Sequence, residues 1–296
     1  MSITYYTCDV FTRERFGGNP LAVVFGADEF STEQMQQLAR EFNYSETTFV
    51  LPAEQSHTAK VRIFTPQIEV PFAGHPNVGT AFTLAMHGDL NWEGDRAQVV
   101  FEEKAGLVPV DIQRDAKDQI FCELLAPEPL SLGRVADTDL VAKAIGLPAE
   151  LVDINHHAPR EVSVGLPFLL VEVKSHAALA KASPNIDAMK ELRDQGITPD
   201  IHLYTRDGGD FDLHTRMFAP LDGVLEDPAT GSANCALIGL LAHLNDQASG
   251  EWTWRIAQGV DMGRPSELFG RVEKSSGQVT DVRMGGYSVT VFKGTL

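Results

Sequence analysis

Short apolar runs rich in β-branched and aromatic side chains fill the first third of the chain. ITYYTCDVF, LAVVF, TTFVL and AKVRIFT have the length and composition of strands. Between the second and third, STEQMQQLAREF changes period. Met35, Leu38 and Phe42 fall at helical spacing there, and Ser31 with Gln34 makes a capping-box start. VPFAGHPNVGTAFTLA (70–85) predicts a second helix, with Val78, Ala81, Phe82 and Ala85 at i, i+3, i+4 and i+7. Pro76 suits its first position, where a missing N–H would have had no partner. AQVVFEE, LVPVDIQ and QIFCELL then return to strand patterning.

Residues 126–139 contain Pro and Gly among polar positions and read as a linker. Beyond them DLVAKAIG predicts a helix, VSVGLPFLLVEV one strong strand, and residues 175–195 polar helices. HLYTRD and FDLHTRMF predict strands. In LEDPATGSANCALIGLLAHL a helix from about residue 233 to 244 is apolar almost all round, so it is expected inside a curved sheet. EWTWRIAQ, ELFGRVEK, VTDVRMG and YSVTVFKGTL close the chain as four further strand-like runs.

A weak internal repeat links the halves. GNPLAVVF resembles GLPFLLVEV, and AGHPNVGTAFTLA resembles TGSANCALIGLLA, in the same order. His75 and Ser232 take matching places, each just after a glycine that opens an apolar helix. Helix starts leave N–H groups without partners and favour an anion. A glycine there admits a ligand close to the backbone. Two such starts facing one cleft would clamp a carboxylate with no lysine or arginine.

Composition narrows the field. With 296 residues and 43% hydrophobic content, the chain has room for about two domains with cores of their own. No apolar run approaches the ~20 residues of a membrane span, and the N-terminus shows no signal-peptide pattern. Three unspaced cysteines suit free thiols in a reducing compartment, so a cytoplasmic protein is expected. A net charge of −17 without basic clusters argues against nucleic acid as a partner.

Common site motifs fail. GHPNVGT has phosphate-loop spacing but lacks the lysine, and G-x-G-x-x-G, H-E-x-x-H and G-x-S-x-G do not occur in productive contexts. His156 and His157 are adjacent, which suits a loop better than two ligands of one metal. A cysteine-pair racemase would need thiols where Ala73 and Thr230 stand. Carboxylates remain. Glu46 precedes a strand run, and Glu226 and Asp227 precede the second helix start. Taken singly, Glu46 is an ordinary solvated acid, Asp227 a turn residue before Pro228 and Ser232 a cap. If Glu46, His75 and Asp227 converge, they make a proton-transfer set.

Five motifs together resemble the PhzF-like phenazine-biosynthesis family. They are F-x-G-N-P-x-A-V-V (16–24), N-x-S-E-T-x-F-V (43–50), P-F-A-G-H-P (71–76), R-M-F-A-P (216–220) and E-D-P-A-T-G-S-A (226–233). The resemblance implies the diaminopimelate epimerase fold, of mixed α/β (α+β) class. Two pseudo-symmetric lobes would each wrap a curved, mostly antiparallel sheet around a central helix, with the site between them. The lobes would be residues 1–126 plus 285–296 and residues 127–284, the last strand returning to the first. It implies an isomerase related to that acting on trans-2,3-dihydro-3-hydroxyanthranilate, with Glu46 moving a proton between ring carbons. His75 and Asp227 would assist, and Asn19, Ser45, Gly74, Gly231 and Ser232 would bind a small carboxylate-bearing substrate. No metal or organic cofactor is expected, no membrane or nucleic-acid partner, and a homodimer is. A single-base epimerase and a non-catalytic carboxylate binder are the alternatives.

Overall fold

The computed structural model describes residues 3–88 and 90–296. The chain divides into two compact units, Met1–Leu125 with Gly285–Leu296, and Ala126–Met284. In the first, β1 (Thr4–Val10) pairs antiparallel with β2 (Asn19–Phe25). α1 (Thr32–Phe42) starts on the expected Ser31–Gln34 capping box and ends at Asn43 in a left-handed conformation. That return lets β3 (Glu46–Leu51) run parallel to β2, with Leu21 opposite Glu46. β4 (Ala59–Phe64) pairs antiparallel with β3, and the two-residue β5 (Glu69–Val70) pairs with β4. α2 (Gly74–His87) leads to β6 (Arg96–Glu103), parallel to β4, and then to β7 (Gly106–Arg114) and β8 (Ile120–Leu125) in antiparallel succession.

α1 covers one face of this sheet, where Met35 and Ala39 join Val24, Phe49 and Phe64. α2 touches β1, β2, β3, β7 and β8, so the strands curve around it. Its predicted stripe of Val78, Ala81, Phe82 and Ala85 is buried, and so are Asn77, Gly79, Thr80 and Thr83. A one-faced pattern underestimates a helix enclosed on all sides. A Cβ at Gly79 would lie 2.6 Å from Leu21 Cδ2 and 2.7 Å from Val10 Cγ2, so glycine sets how closely α2 approaches the strands. The helix opens at Gly74, not at Pro76, because Ala73 is its N-cap. Proline is tolerated one turn in, at a position whose N–H still has no intrahelical partner.

The second unit repeats this plan. β9 (Ser131–Val135) and the start of α3 (Thr138–Ala144) occupy half of the expected linker. β9 pairs with β10 (Arg160–Ser163), which turns back through Gly165 (φ 146°) into β11 (Pro167–Glu172). VSVGLPFLLVEV is therefore a hairpin rather than one strand, broken by the Gly-x-Pro that an apolar run conceals. α4 (His176–Lys181) and α5 (Ile186–Asp194) carry the chain to β12 (Ile201–Thr205), parallel to β11. β13 (Leu213–Ala219) is antiparallel to β12, and β14 (Val224–Asp227) pairs with β13. α6 (Gly231–Leu244) precedes β15 (Gly250–Gln258), parallel to β13, and β16 (Ser266–Ser275), antiparallel to β15.

α3 and α5 pack Leu140, Val141, Ala144, Met189 and Leu192 against Leu169, Val171, Ile201 and Phe218. α6 is buried from Gly231 through Ala242 except at Ser232, as a sequence apolar almost all round demands. The last two expected runs form a single strand, β17 (Gln278–Thr295). Its final residues pair with β1, from Val10 opposite Ser288 to Thr4 opposite Thr295. All three cysteines are free and buried. Among the described residues no helix is long and apolar enough to cross a membrane.

Candidate active site

In the first unit the parallel pair β2 and β3 brings the segment around Asn19 and Pro20 beside Glu46. α2 then presents its second residue, His75, to both. A ring nitrogen of His75 donates to the Pro20 carbonyl. Nε2 has no hydrogen bond, so the Pro20 bond belongs to Nδ1. Nε2 lies 3.4 Å from Glu46 Oε2, with only 6% and 19% of the two side chains exposed. Burial drives the imidazole pKa down to about 3, against a small upward pull from the Pro20 bond. The ring is neutral, its proton is on Nδ1, and Nε2 turns a lone pair toward the Glu46 carboxyl group.

The surroundings fix this pair. Thr48, two residues along β3 from Glu46, shares a 2.9 Å hydroxyl contact with Thr80 of α2. Asn19 is fully buried, Gly74 opens α2, and Ser45 sits half-buried in the bend before β3. Ala73 gives α2 no side-chain cap and the first turn carries no acid, so its leading N–H groups are not claimed by a capping side chain.

The second unit holds Asp227, Gly231 and Ser232. Asp227 ends β14, and its Oδ2 accepts a 2.5 Å hydrogen bond from Thr230 Oγ1. Gln258 organises the turn between them. Its Nε2 donates to Asp227 O at 2.8 Å and to Thr230 Oγ1 at 3.0 Å, while its Oε1 accepts from Thr230 N at 3.1 Å. Asn234 Nδ2 donates to the same Oε1 at 2.7 Å, and His202 Nε2 donates to Asn234 Oδ1 at 3.1 Å. Gln258, Asn234 and His202 are all fully buried. Ser232 is the second residue of α6, the place His75 takes in α2, and is half-buried.

Glu226 is a different kind of residue from its neighbour. Arg216 grips it through both guanidinium arms at 2.8 Å and also donates to the Leu179 and Ala182 carbonyls. The arginine of R-M-F-A-P is thus a buried stitch between β13, β14 and the end of α4. His156 and His157 do sit outside helices and strands, and each takes its own partner. His156 Nδ1 lies 3.0 Å from Glu172, and His157 Nε2 lies 2.7 Å from Tyr204 OH. Asp153, His156 and Glu172 bring potential metal-ligand atoms within 4.8 Å of one another, yet Glu172 is already neutralised by Arg206 Nε at 2.9 Å.

Sequence reasoning missed Pro20, Thr48, Thr80, Asn77, Asn234, Gln258 and His202. The signal for two of them was present. Asn77 and Asn234 stand at matching places in the repeat, two residues after His75 and Ser232. The others act through contacts distant in sequence.

A family model described as phenazine biosynthesis-like protein matches residues 8–294. The trans-2,3-dihydro-3-hydroxyanthranilate isomerase of Pseudomonas chlororaphis is 38% identical over 296 residues, covering 99% of this chain and 98% of its own length. The crystal structure of a PhzF-family phenazine biosynthesis protein from Bacillus anthracis superposes with a TM-score of 0.88 at 26% identity, covering 100% of this chain and 99% of that one. A hydroxyproline epimerase from Agrobacterium vitis shares the fold, with a TM-score of 0.66 at 14% identity over 100% of this chain and 92% of that one. From its nearly full-length match and its identity to a curated member, the chain belongs to the phenazine biosynthesis-like protein family and is a PhzF-type isomerase.

Proposed function

We propose that this isomerase shifts a proton between carbons of a small carboxylate-bearing metabolite, a cyclic amino-acid-like one being the leading class, with Glu46 as the acid–base group. The observation that carries the reading is the 3.4 Å approach of Glu46 Oε2 to a neutral His75 Nε2. Glu46 as carboxylate takes a proton from a carbon next to a conjugated system, and the electron pair left behind spreads through that system. A protonated Glu46 then returns the proton to another carbon, so nothing is oxidised or reduced. A proton on Glu46 turned toward His75 converts the lone-pair contact into a hydrogen bond, so His75 steadies the intermediate state without becoming charged. The leading N–H groups of α2 and α6 suit the negative charge that develops on the substrate. Asp227, held by Thr230, and Ser232 take polar groups of the substrate, as do Asn19, Ser45, Gly74 and Gly231. A homodimer and a cytoplasmic setting are proposed on the family's footing, the first open to light scattering.

The test uses trans-2,3-dihydro-3-hydroxyanthranilate, the substrate named for the Pseudomonas chlororaphis relative, in heavy water. NMR should show deuterium entering carbon positions with the wild type and not with Glu46→Gln. Incorporation undiminished in the variant overturns the role of Glu46. A product differing only in configuration at one carbon would favour the epimerase reading.

A further inference from the structure

Glu103 is the last residue of β6, and the proposed chemistry leaves it unused. Its place has a counterpart in the second unit. β6 follows α2 and runs parallel to β4, just as β15 follows α6 and runs parallel to β13, and Gln258 is the last residue of β15. The fourth residue of each central helix is an asparagine whose Nδ2 donates at 3.0 Å to the carbonyl four residues back, Asn77 to Ala73 and Asn234 to Thr230. Gln258 completes the second arrangement, accepting from Asn234 and donating to Asp227 O and Thr230 Oγ1. In the first unit an acid stands there instead. The Asn77 side chain reaches the Glu103 carboxyl, whose two oxygens are shut away from solvent and have no fitted hydrogen bond. A carboxylate offers acceptors only, whereas a carboxylic acid offers one O–H and one C=O, the same pair of functions as a glutamine amide.

We propose that Glu103 acts as a neutral hydrogen-bonding acid in the role Gln258 plays, holding Asn77 and thereby the first turn of α2 that carries His75. Glu103 is a positioning residue, and its bearing on turnover rests on the reading of His75 given above. Burial pushes its carboxyl up to about 8, with Asn77 pulling weakly the other way. The charged groups of neighbouring elements are engaged elsewhere. Arg62 of β4 and Lys104 both hold Glu69 of β5, and Lys60 of β4 holds Glu54. Glu102 accepts from the N–H groups of Glu54 and Gln55, Gly106 of β7 stands opposite Glu103, and His75 is neutral. No charge among the described residues acts on the Glu103 carboxyl.

Thermal unfolding of wild type and Glu103→Gln across a pH series is the first measurement. The folded chain keeps a proton that the unfolded chain releases near the ordinary value of 4.5, so wild-type stability declines as pH rises from there toward about 8. The glutamine variant lacks that decline, and its melting temperature gains on the wild type steadily through this window. A protonated-carboxyl infrared band at neutral pH should be present in wild type and missing in the variant. A pH-independent difference together with an unchanged infrared spectrum overturns the neutral acid. With the heavy-water assay, Glu103→Leu should lower kcat by about tenfold to a hundredfold with little change in KM, and Glu103→Gln should restore it. Equal kcat in the leucine variant and wild type overturns the positioning role. If the leucine variant does not fold, the alkaline limb of the pH–rate profile decides, because only the glutamine variant should hold its activity above about pH 8. Absence of turnover in wild type would fail the proposed function and leave the melting and infrared results standing.

Discussion

Thr48 and Thr80 share a buried 2.9 Å hydroxyl–hydroxyl hydrogen bond, and it ties the strand carrying Glu46 to the helix carrying His75. Both hydroxyls are fully buried, so neither can fall back on water. Thr48→Val keeps the shape and leaves the Thr80 hydroxyl without its partner, a cost of about 1–3 kcal/mol. Calorimetry should show that loss, with kcat falling further than stability alone explains. The double variant Thr48→Val with Thr80→Val should cost less than the two single changes added together, because no orphaned hydroxyl remains.

Two deeply buried imidazoles contribute to the acid limb of stability. Burial lowers His75 to about 3 and His202 to about 4, from 6.5. Between those values and 6.5 the unfolded chain binds protons that the folded chain refuses, so stability rises with pH across this window and falls as pH drops through it. Each group contributes at most about 1.4 kcal/mol per pH unit. Melting temperatures recorded downward from about pH 6.5 should fall less steeply for His202→Gln than for wild type. Parallel curves would assign the acid lability to other groups.

Arg216 and Glu226 form a buried ion pair with side chains 10% and 14% exposed. Removing only the arginine leaves an uncompensated carboxylate and takes the Arg216 hydrogen bonds from the Leu179 and Ala182 carbonyls. Arg216→Leu should therefore destabilise by about 3–5 kcal/mol. Adding Glu226→Leu should recover part of that loss in urea unfolding. If the double variant were weaker than the single one, the pair's energetic role would have to be assigned to packing.

Much of the fold was readable from periodicity because the elements that carry it are strongly patterned. Ser31 and Gln34 announce α1, and the almost wholly apolar stretch after Gly231 announces α6. The misreadings have specific causes. The hairpin β10–β11 hides in one apolar run because Val162 and Val164 lead without a polar break into the buried strand β11, and its turn is marked only by Gly165 and Pro167. β9 carries few buried side chains, so its segment resembles a linker. Glu46 and His75 were legible because a family motif surrounds each of them. The Pro20 carbonyl that fixes the His75 tautomer is a backbone atom, and no side-chain pattern records it. Gln258 lies 31 residues from Asp227, and only the fold brings them together.

β17 belongs to both units, and its last residues complete the pairing of β1. A ribosome therefore delivers β1 well before its β17 partner, with the whole second unit made between them. The second unit is continuous in sequence and can close while the first still waits. The unit that holds Glu46 is completed only after the other has been made, so the nascent chain must shelter an incomplete β1 edge while the second unit is synthesised.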